Sequence, residues 1–576
     1  MQTRRPLCLT LTLILFFATS IASATPPESF LFPENGATVA EQARNLFESM
    51  STEERLAQLF LVGWDGVAPS QAVLEWIDTR GIGGVKVFGW NTNDAVDLAR
   101  SLGAMQTRAL RQRAGIPLFT ATDQEGGWVR HVRDRTSHTP GNMALGAGGS
   151  PHDSYESAIR ISRELRLLGM NMNFAPTVDV YRNTEASVIG SRAFSDDPVQ
   201  TAVLGMAFAA GSEAEWVIPT AKHYPGHGNA VGDSHLLLPR LEETLVELRE
   251  NDLLPFRMMI HEGVPAVLSA HLAFPNITNA YTPASLSTFF MRDILRDELG
   301  FTGLAITDDL YMRGAIDYAR GQGWSFEEMV VEAIAAGNDM VMLSRTPDAQ
   351  GPIWQTLIRR YRNDTDFRRT TDESVLRVLE TKIRFLGHDN RVPLVPDIAL
   401  VRDTLPFDEH QHFFAEQAAL GVTILRNNRL PLREDALGRV LVAGNVASFL
   451  SAAARRIPAA ERFVFPYTPT HVSRASDRAW VRNNAARFDT IVFGLSNRNS
   501  AEILAELEPF ADRVIVLSSL SPLYLAEMDW VQNAVAVFGL TDVSHAAGLS
   551  AIFGDFTPQG RIPLSALRRP LLEVRE

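Results

Sequence analysis

The sequence predicts an α/β protein in which an N-terminal (β/α)8 barrel is followed by a smaller α/β domain. Between about residues 50 and 385, eight apolar runs of strand length alternate with amphipathic helical patterns, and eight parallel strands close a barrel. Four polar residues stand at the carboxyl ends of these runs, where such a barrel carries its active site: Asp123, His223, His271 and Asp308. An open doubly wound sheet is the alternative, but no Gly-rich phosphate loop follows the first run.

The eight runs are short and apolar, as strands buried on both faces are. In chain order they are Ala57 to Val62, Ile82 to Phe88, Pro117 to Asp123, Met170 to Ala175, Ile218 to His223, Ala266 to His271, Gly303 to Asp308 and Met340 to Ser344. The last helical pattern ends near Leu386. The barrel domain is therefore predicted over residues 25–386.

The first 24 residues have the pattern of a secretory signal peptide. Two arginines precede an apolar run from Leu7 to Phe17, and small residues ending at Ala24 follow it. Because the run is too short to span a bilayer, we expect cleavage after Ala24, a periplasmic or secreted location and no membrane span in the mature chain. An uncleaved anchor is the alternative. The single cysteine, Cys8, lies inside this run, so the mature chain would contain no thiol.

A second domain is predicted after a linker. Within residues 387–411, the stretch from Gly387 to Asp397 carries two prolines and scattered charges, which are typical of a connecting segment. Residues 412–576 then contain five further strand-like runs: Val422 to Arg426, Arg439 to Ala443, Thr490 to Gly494, Arg513 to Ser518 and Ala534 to Gly539. These runs predict a smaller α/β layer domain.

The charge of the chain restricts its partners. The formal net charge is −13, with 54 basic residues and no concentrated run of them. A chain of this kind offers no cationic field for nucleic acid or for an anionic membrane. A neutral or small substrate fits better.

A loop near the middle of the chain concentrates chemically active residues. KHYPGHG occupies Lys222 to Gly228, and GDSH occupies Gly232 to His235. Pro225 and the glycines prevent a regular helix or strand, so the clustering indicates a loop that carries chemistry. Asp233 and His235 are separated by one residue, close enough for the carboxylate to orient the imidazole and to raise its basicity.

Two other chemistries are alternatives for this loop. A metal site would use His223, His227, Asp233 and His235, but paired histidines four apart share a face only on a helix, which Pro225 forbids. A serine nucleophile would be Ser234 or Ser269, but the sequence has no GxSxG motif. The sequence therefore predicts neither a metal nor another cofactor.

Two adjacent carboxylates end the seventh run. In GLAITDDLYM, successive residues leave the strand on opposite sides, so only one of the two can cap the following helix. We assign Asp309 to the cap and Asp308 to the substrate as a candidate nucleophile. Asp123, in TDQEGGWV, is a candidate acceptor for two sugar hydroxyls, beside glycines that allow a close approach of the backbone. Arg192 lies in a long polar loop and would be unremarkable alone.

An ordered set of motifs resembles the bacterial β-N-acetylhexosaminidases of glycoside hydrolase family 3. The set comprises EERLAQLFLVG, TDQEGG, NFAPTVDV, IGSRAF, KHYPGHG with GDSH, SAHLAFP and GFTGLAITDDLYM. The resemblance implies that Asp308 is the nucleophile, that His235 is the general acid/base and that Asp233 tunes His235. It implies that Lys222, His223, Asp123 and Arg192 bind the N-acetylglucosamine ring. It also implies that residues 412–576 form an α/β (αβα) sandwich.

The resemblance implies a retaining exo-β-N-acetylglucosaminidase that acts on peptidoglycan fragments (muropeptides) or chito-oligosaccharides. The alternatives are an N-acetylglucosaminide phosphorylase, a family β-glucosidase and an inactive protein that binds cell-wall glycans. One position departs from the family pattern. The arginine expected eight residues after Asp123 is replaced by His131, with Arg130 and Arg133 nearby, so the sequence leaves open which of the three meets the substrate.

Overall fold

The structure, a computed structural model, describes residues 37–183, 186, 188–232, 234 and 236–568. The predicted signal peptide, Asp233 and His235 lie outside the described residues. The signal peptide, its cleavage and the location outside the cytoplasm therefore stay predictions.

Eight parallel strands form the N-terminal barrel, and each overlaps one predicted run. They are β1 (Phe60–Val62), β2 (Gly84–Val87), β3 (Phe119–Thr122), β6 (Met172–Asn173), β7 (Ile218–Tyr224), β8 (Ala266–Ser269), β9 (Leu304–Thr307) and β10 (Val341–Leu343). Neighbours in the chain are neighbours in the sheet, and β10 pairs with β1. A bridge between Ile306 and Met340 joins β9 to β10, so the barrel is closed. The predicted barrel is confirmed. Only the start of the first run was wrong, because Ala57 ends a helix.

A small hairpin follows β3 at the mouth of the barrel. It consists of β4 (Gln124–Gly126) and β5 (Val129–Arg130), which are antiparallel. Gly126, the last residue of β4, and Gly127, the first residue of the turn, have positive φ values of 95° and 62°. A Cβ at Gly127 would lie 3.1 Å from Gly141 Cα, so glycine is required both by the backbone and by the close packing.

Helices surround the barrel. They are Val39–Ser49, Thr52–Ala57, Gln71–Arg80, Ala95–Leu110, Asn142–Gly148, Pro151–Leu167, Pro198–Ala214, Leu245–Glu250, Leu253–His261, Pro275–Thr278, Arg313–Gly321, Phe326–Ala336, Pro352–Asn363 and Thr365–Leu386, with a π-helix at Phe289–Glu298. Within the described ranges, no helix is both long and apolar enough to cross a membrane.

The second domain is a six-stranded sheet covered on both faces. Its strands are β11 (Thr423–Arg426), β12 (Val440–Gly444), β13 (Glu461–Val464), β14 (Thr490–Leu495), β15 (Val514–Ser518) and β16 (Ala534–Ala536), in the spatial order β11-β16-β15-β14-β12-β13. Only β11 is antiparallel to its neighbour. Alternate residues enter separate cores, Val442 and Val492 on one face, Leu441 and Ile491 on the other. The predicted α/β sandwich is confirmed, and β13 is an additional, half-exposed edge strand that the sequence analysis missed.

The helices of the C-terminal part are Ile398–Thr404, Asp408–Gly421, Ala447–Arg456, His471–Asn484, Arg498–Ala505 and Asp542–Phe553. The first of them lies within the segment predicted as a linker, and its Val401 is buried in the barrel core. The connection between the domains is therefore packed rather than extended. The domain boundaries themselves stay predictions.

An apolar cluster joins the two domains, and we call it the interdomain cluster. The barrel contributes Met143, Ala144, Ala147, Tyr181, Ala186, Ile189 and Ala193, and the second domain contributes Leu523, Ala536, Phe538 and Leu564. Hydrogen bonds reinforce it, since Ser195 Oγ donates to Pro563 O over 2.9 Å and Arg561 N donates to Ala147 O over 2.8 Å. The cluster holds the loop after β6, which carries Arg192, against the second domain.

Candidate active site

A cleft of about 490 Å3 opens at the carboxyl ends of the barrel strands. Its walls include every substrate-binding residue predicted from the sequence, Asp123, Arg192, Lys222 and His223, together with Asp308. The volume lies within the range of small-molecule sites. The aromatic side chains of Trp90 and Trp128 stand half-exposed at its edge. The barrel thus brings together residues that are up to 185 positions apart in the chain, from Asp123 to Asp308.

A network of buried charges forms one side of the cleft. Lys222 Nζ lies 2.5 Å from Asp123 Oδ1 and 2.5 Å from Glu125 Oε1. The Arg192 guanidinium meets the Glu125 carboxylate with two bonds, Nη2 to Oε1 at 2.7 Å and Nε to Oε2 at 2.9 Å. An ammonium has three donors, and these two contacts use two of them.

The network fixes the charge of its acids. Burial alone would raise the pKa of Asp123, but the ammonium groups of Lys222 and Lys86 hold it well below its usual range. Burial likewise opposes ionisation of Glu125, but Arg192 and Lys222 lower its pKa to about 2. Burial disfavours the charged form of Lys222, yet Asp123 and Glu125 raise its pKa. The cleft therefore presents fixed carboxylates and a fixed ammonium at neutral pH.

One buried carboxylate, Asp179, organises two histidines. His223 Nδ1 lies 2.7 Å from Asp179 Oδ2, and the backbone N–H groups of His223 and His227 both donate to Asp179 Oδ1, over 3.1 and 2.7 Å. Arg192 Nη2 lies 3.1 Å from His223 Nε2. Since a guanidinium can only donate, Nε2 is the acceptor, and the ring proton is on Nδ1. Both ring nitrogens of His223 thus have protein partners.

These contacts bear on the metal and serine alternatives. The guanidinium of Arg192 occupies the side of His223 Nε2 that a cation would need, and its charge repels one. Ser234 Oγ lies 3.1 Å from His227 Nε2, but His227 Nδ1 has no hydrogen-bond partner among the described residues. A serine triad needs a carboxylate at that nitrogen. Ser269 Oγ is buried and donates to Asn338 Oδ1 over 2.6 Å.

Asp308 and Asp309 leave the end of β9 in different directions. The backbone N–H of Asp309 donates to Asp308 Oδ1 over 2.8 Å, which orients the Asp308 carboxylate in the cleft. Asp309 Oδ1 accepts from Tyr311 N over 3.1 Å and from Ser344 N over 2.9 Å. The expected helix cap at Asp309 is wrong, because the next helix begins only at Arg313, with Met312 before it. Asp309 instead ties β9 to the end of β10.

The loop that carries Asp233 and His235 is described only in part. Its base is fixed at His227 by Asp179, and a Cβ at Gly228 would lie 1.9 Å from Val180 O. Gly232, with a φ of 101°, is a backbone turn that favours glycine. The side chains of Asp233 and His235 themselves lie outside the described residues.

Lys86 is a site residue that the sequence analysis missed. It lies on β2, is fully buried, and uses all three of its donors: Asp123 Oδ2 at 2.7 Å, Val87 O at 2.9 Å and His131 Nδ1 at 3.3 Å. His131 Nδ1 also lies 3.2 Å from Val87 O, so this nitrogen accepts from Lys86 when it carries no proton and donates to Val87 O when it does. Burial and the Lys86 charge lower the pKa of His131 to about 4, so this imidazole is neutral at physiological pH.

The sequence leaves open which of Arg130, His131 and Arg133 meets the substrate, and the structure shows which of them lines the cleft. His131 lines the cleft. Arg130 turns away and donates to Thr136 O and Ser137 O over 3.2 and 2.8 Å, and Arg133 is exposed and donates to Arg130 O over 3.4 Å. The residue of the three that lines the cleft is therefore a neutral histidine.

Glu125 and Asp179 were also missed. Both belong to motifs that the sequence analysis quoted, TDQEGG and NFAPTVDV, and both are buried polar residues next to strand ends. The sequence offers one signal for both residues, which is a carboxylate inside an otherwise apolar or glycine-rich segment. Because buried acids are almost always paired, such a carboxylate indicates a charged partner nearby. Lys86 carried the same signal in the apolar run of β2.

The chain resembles known glycoside hydrolases over most of its length. Residues 51–381 match the family model described as "Glycosyl hydrolase family 3 N terminal domain". Beta-hexosaminidase A of Pseudoalteromonas piscicida is 30% identical over 384 residues, which are 63% of this chain and 62% of that protein, so the chain spans less than two thirds of this relative. Beta-hexosaminidase of Thiobacillus denitrificans is 35% identical over 46% of this chain and 72% of its own length.

A solved structure covers both domains. It is a glycoside hydrolase family 3 beta-N-acetylglucosaminidase from Paenibacillus sp. str. FPU-7, with a TM-score of 0.78 and 27% identity, and the match covers 90% of this chain and 99% of that one. The barrel and the sandwich thus occur together in a chain of known structure.

The first prediction concerns Glu125. Its pKa of about 2, against 4.5 ordinarily, stabilises the fold by about 3 kcal/mol above pH 4.5, and this contribution is lost as the pH falls from about 4.5 to 2. Glu125→Gln should therefore lower the free energy of unfolding at pH 7, and its deficit should shrink below pH 4.5. Urea titrations between pH 3 and 7 measure this, with the exposed Glu48→Gln as control. A deficit independent of pH would contradict the prediction.

The second prediction concerns Lys86. Lys86→Met removes a positive charge that lowers the pKa of His131, so this pKa should rise from about 4 toward its ordinary value. The His131 ring signals in an NMR titration report the change directly. The matched control is Lys382→Met, another fully buried lysine, which bonds Gln58 Oε1 at 2.7 Å and lies outside the cleft. An unchanged His131 titration in Lys86→Met would refute the assigned contact.

Proposed function

This chain belongs to glycosyl hydrolase family 3, and on that premise we propose that it is a retaining, exo-acting β-N-acetylglucosaminidase. The observation that carries the proposal is the convergence of Asp308 with Asp123, Lys222 and Arg192 in one cleft at the carboxyl ends of the strands. The names of the relatives, beta-hexosaminidase and beta-N-acetylglucosaminidase, support this choice of sugar. The substrates proposed are terminal β-linked N-acetylglucosamine residues of muropeptides or chito-oligosaccharides.

The first step is attack by Asp308. One carboxylate oxygen of Asp308 forms a bond to the anomeric carbon, while the bond from that carbon to the leaving oxygen breaks. His235, protonated, gives its proton to the leaving oxygen. The products of this step are a glycosyl-aspartate and a free alcohol. Asp308 suits this role because β9 and the Asp309 N–H hold it in the cleft.

The second step is hydrolysis of the glycosyl-aspartate. His235, now neutral, takes a proton from water as the water oxygen attacks the anomeric carbon, and the Asp308 carboxylate leaves. Asp233 orients the imidazole and stabilises its charged form. A neutral histidine as base adds no second anion beside Asp308. The Gly228 and Gly232 positions that bound this loop support its role as the element that delivers the proton.

The charged network binds the sugar. Asp123 has lone pairs in addition to those used by Lys222 and Lys86, so it can accept from ring hydroxyls. The third donor of Lys222 reaches a sugar oxygen. His223 has both ring nitrogens engaged, so its role here is to hold Arg192 in place and to offer its ring edge to the sugar. The N-terminal pattern of the sequence supports action outside the cytoplasm.

A phosphorylase would use the same first step, with phosphate in place of water in the second. A neutral histidine repels phosphate less than a carboxylate does, which is the observation that favours this second candidate. Incubation in phosphate buffer separates the two: release of N-acetylglucosamine supports the hydrolase, and release of its 1-phosphate supports the phosphorylase.

The third prediction tests the nucleophile. Asp308→Asn should lower kcat on an aryl β-N-acetylglucosaminide by roughly a thousandfold or more, because no glycosyl-enzyme can form. With a slow fluorinated substrate, mass spectrometry should find the adduct on Asp308 of the unmodified enzyme. Asp317→Asn, an exposed carboxylate on helix Arg313–Gly321, is the control. Full activity of Asp308→Asn, or an adduct elsewhere, would disprove the assignment.

The fourth prediction tests the acid/base. His235→Ala should slow cleavage of disaccharides, whose leaving groups need a proton, by about a hundredfold or more. Formation of the glycosyl-enzyme from a dinitrophenyl glycoside, whose leaving group needs none, should change little. Stopped-flow measurement of the dinitrophenolate burst compares the two. Equal losses on both substrates would show that His235 is not the proton donor.

A further inference from the structure

Two buried acids lie against the loop that follows β7, and the proposed mechanism does not use them. Asp252 is fully buried, and the side chain of Glu243 is only 11% exposed. Both carboxylates meet the same guanidinium, because Arg182 Nη2 lies 2.7 Å from Asp252 Oδ2 and 2.7 Å from Glu243 Oε1. We call Arg182, Glu243 and Asp252 the acid-pair cluster. In it, two acidic groups share one positive charge.

The acid-pair cluster contacts the root of the loop, which we define as Gly226 to Asn229. Asn229 Nδ2 donates to Glu243 Oε1. A Cβ at Gly226 would lie 2.5 Å from Asp252 Cβ and 3.1 Å from Asp252 Oδ1, so the backbone of the root packs directly on this carboxyl group. The cluster therefore holds the root of the loop, in addition to Asp179.

The acid-pair cluster has too few donors for two carboxylates. Asp252 Oδ1 and Glu243 Oε2 are buried and accept no hydrogen bond from any described residue. Asp252 occupies the N-cap position of helix Leu253–His261, but its side chain makes no capping bond there. A buried carboxylate is costly when its oxygens have no donors. The geometry therefore favours a proton on one acid of the pair, as in other sites that two carboxylates share.

The groups around Asp252 favour the proton on this residue. Burial, followed by the charge of Glu243, raises the pKa of Asp252 to about 7, although Arg182 opposes the shift. Burial lowers the pKa of His227 to about 4, and His223 Nε2 accepts from Arg192, so both imidazoles are neutral at pH 7. The other titratable groups on the surrounding elements are the acids Asp179, after β6, and Glu247, on helix Leu245–Glu250. None of these four groups adds a second cation.

We infer that Asp252 is a positioning residue for the loop after β7, which is held in its active arrangement while Asp252 carries a proton and loses this arrangement when Asp252 ionises. This inference rests on the proposed function, because the same loop continues to His235. An ionised Asp252 places a second negative charge beside Glu243, and the two carboxylates then repel each other where they contact Gly226 and Asn229.

The fifth prediction is a loss of activity at alkaline pH. With a dinitrophenyl N-acetylglucosaminide, hydrolysis of the glycosyl-enzyme should limit kcat after the burst, and this step uses His235 as a neutral base, so kcat should level off at high pH. Because Asp252 ionises near pH 7, we expect kcat instead to fall by about tenfold or more between pH 7 and 9. Asp252→Asn keeps an oxygen for Arg182 and cannot ionise. The ratio of kcat at pH 9 to kcat at pH 6 should therefore no longer fall in this variant.

A second variant tests the pair of acids. Glu243→Gln leaves one acid for Arg182 and keeps an oxygen for Asn229, so the alkaline fall should disappear here as well. Glu262→Gln, which changes an exposed carboxylate directly after helix Leu253–His261, is the control and should keep the fall. The inference would be overturned by an unmodified enzyme whose kcat does not fall, by a fall that a folded Asp252→Asn or Glu243→Gln enzyme keeps, or by its loss in Glu262→Gln.

Urea unfolding tests the same proton without activity. Since the pKa of Asp252 is raised in the folded state, its contribution to stability is complete below its ordinary pKa of 3.8 and is lost as the pH rises to about 7. Asp252→Asn should therefore unfold at a higher urea concentration than the unmodified protein at pH 8, and the difference should shrink toward pH 4. A lower midpoint of Asp252→Asn at pH 8 would contradict the buried proton. An enzyme that is inert on aryl N-acetylglucosaminides in every form would instead refute the proposed glycosidase, and the urea result would still decide whether Asp252 holds the proton.

Discussion

The site depends on one arrangement of buried charge, in which Lys222 binds Asp123 and Glu125, and Glu125 binds Arg192. Burying ions is costly, and a buried ion pair is often no more stabilising than apolar residues of the same size. A network of this size at the mouth of a barrel is therefore better explained by what it does for a ligand. Its members come from the segment that directly follows β3, from β7 and from the loop after β6, so the closed barrel supplies the fixed distances that the network needs. The sugar would then meet donors and acceptors that are already oriented.

The second domain helps to hold Arg192, one member of this charged network, in position. Arg192 belongs to no regular strand, and its loop would be costly to hold by the barrel alone. The interdomain cluster packs Ile189 and Ala193, on either side of Arg192, against Leu523 and Phe538. The burial of Ile189 and Ala193 on one side of the loop therefore fixes the position of the Arg192 guanidinium on the other side.

The sequence predicted the eight barrel strands because each is an apolar run between turn residues, a pattern that hydrophobic burial imposes directly. Strand β13 was missed because an edge strand buries one face, and its run is too short and too polar to stand out. Lys86 was missed for another reason. A lysine inside an apolar run indicates a buried charge, but only the closure of the barrel shows that its partner is Asp123, directly after β3. The periodicity of a sequence does not indicate which distant segments pair in the tertiary structure.

Asp179 shows how the two halves of the proposed mechanism are connected. One of its oxygens holds the His223 ring, and the other accepts from the backbone of both His223 and His227, at the base of the loop that continues to Asp233 and His235. Burial opposes its charge, but His223 lowers its pKa to about 2, so the anchor stays ionised over the whole physiological range. The strand end that orients Arg192 and the root of the loop that would deliver the proton are thus fixed by one carboxylate. A change at Asp179 would disturb sugar binding and proton transfer together, although it touches neither substrate nor reacting atom.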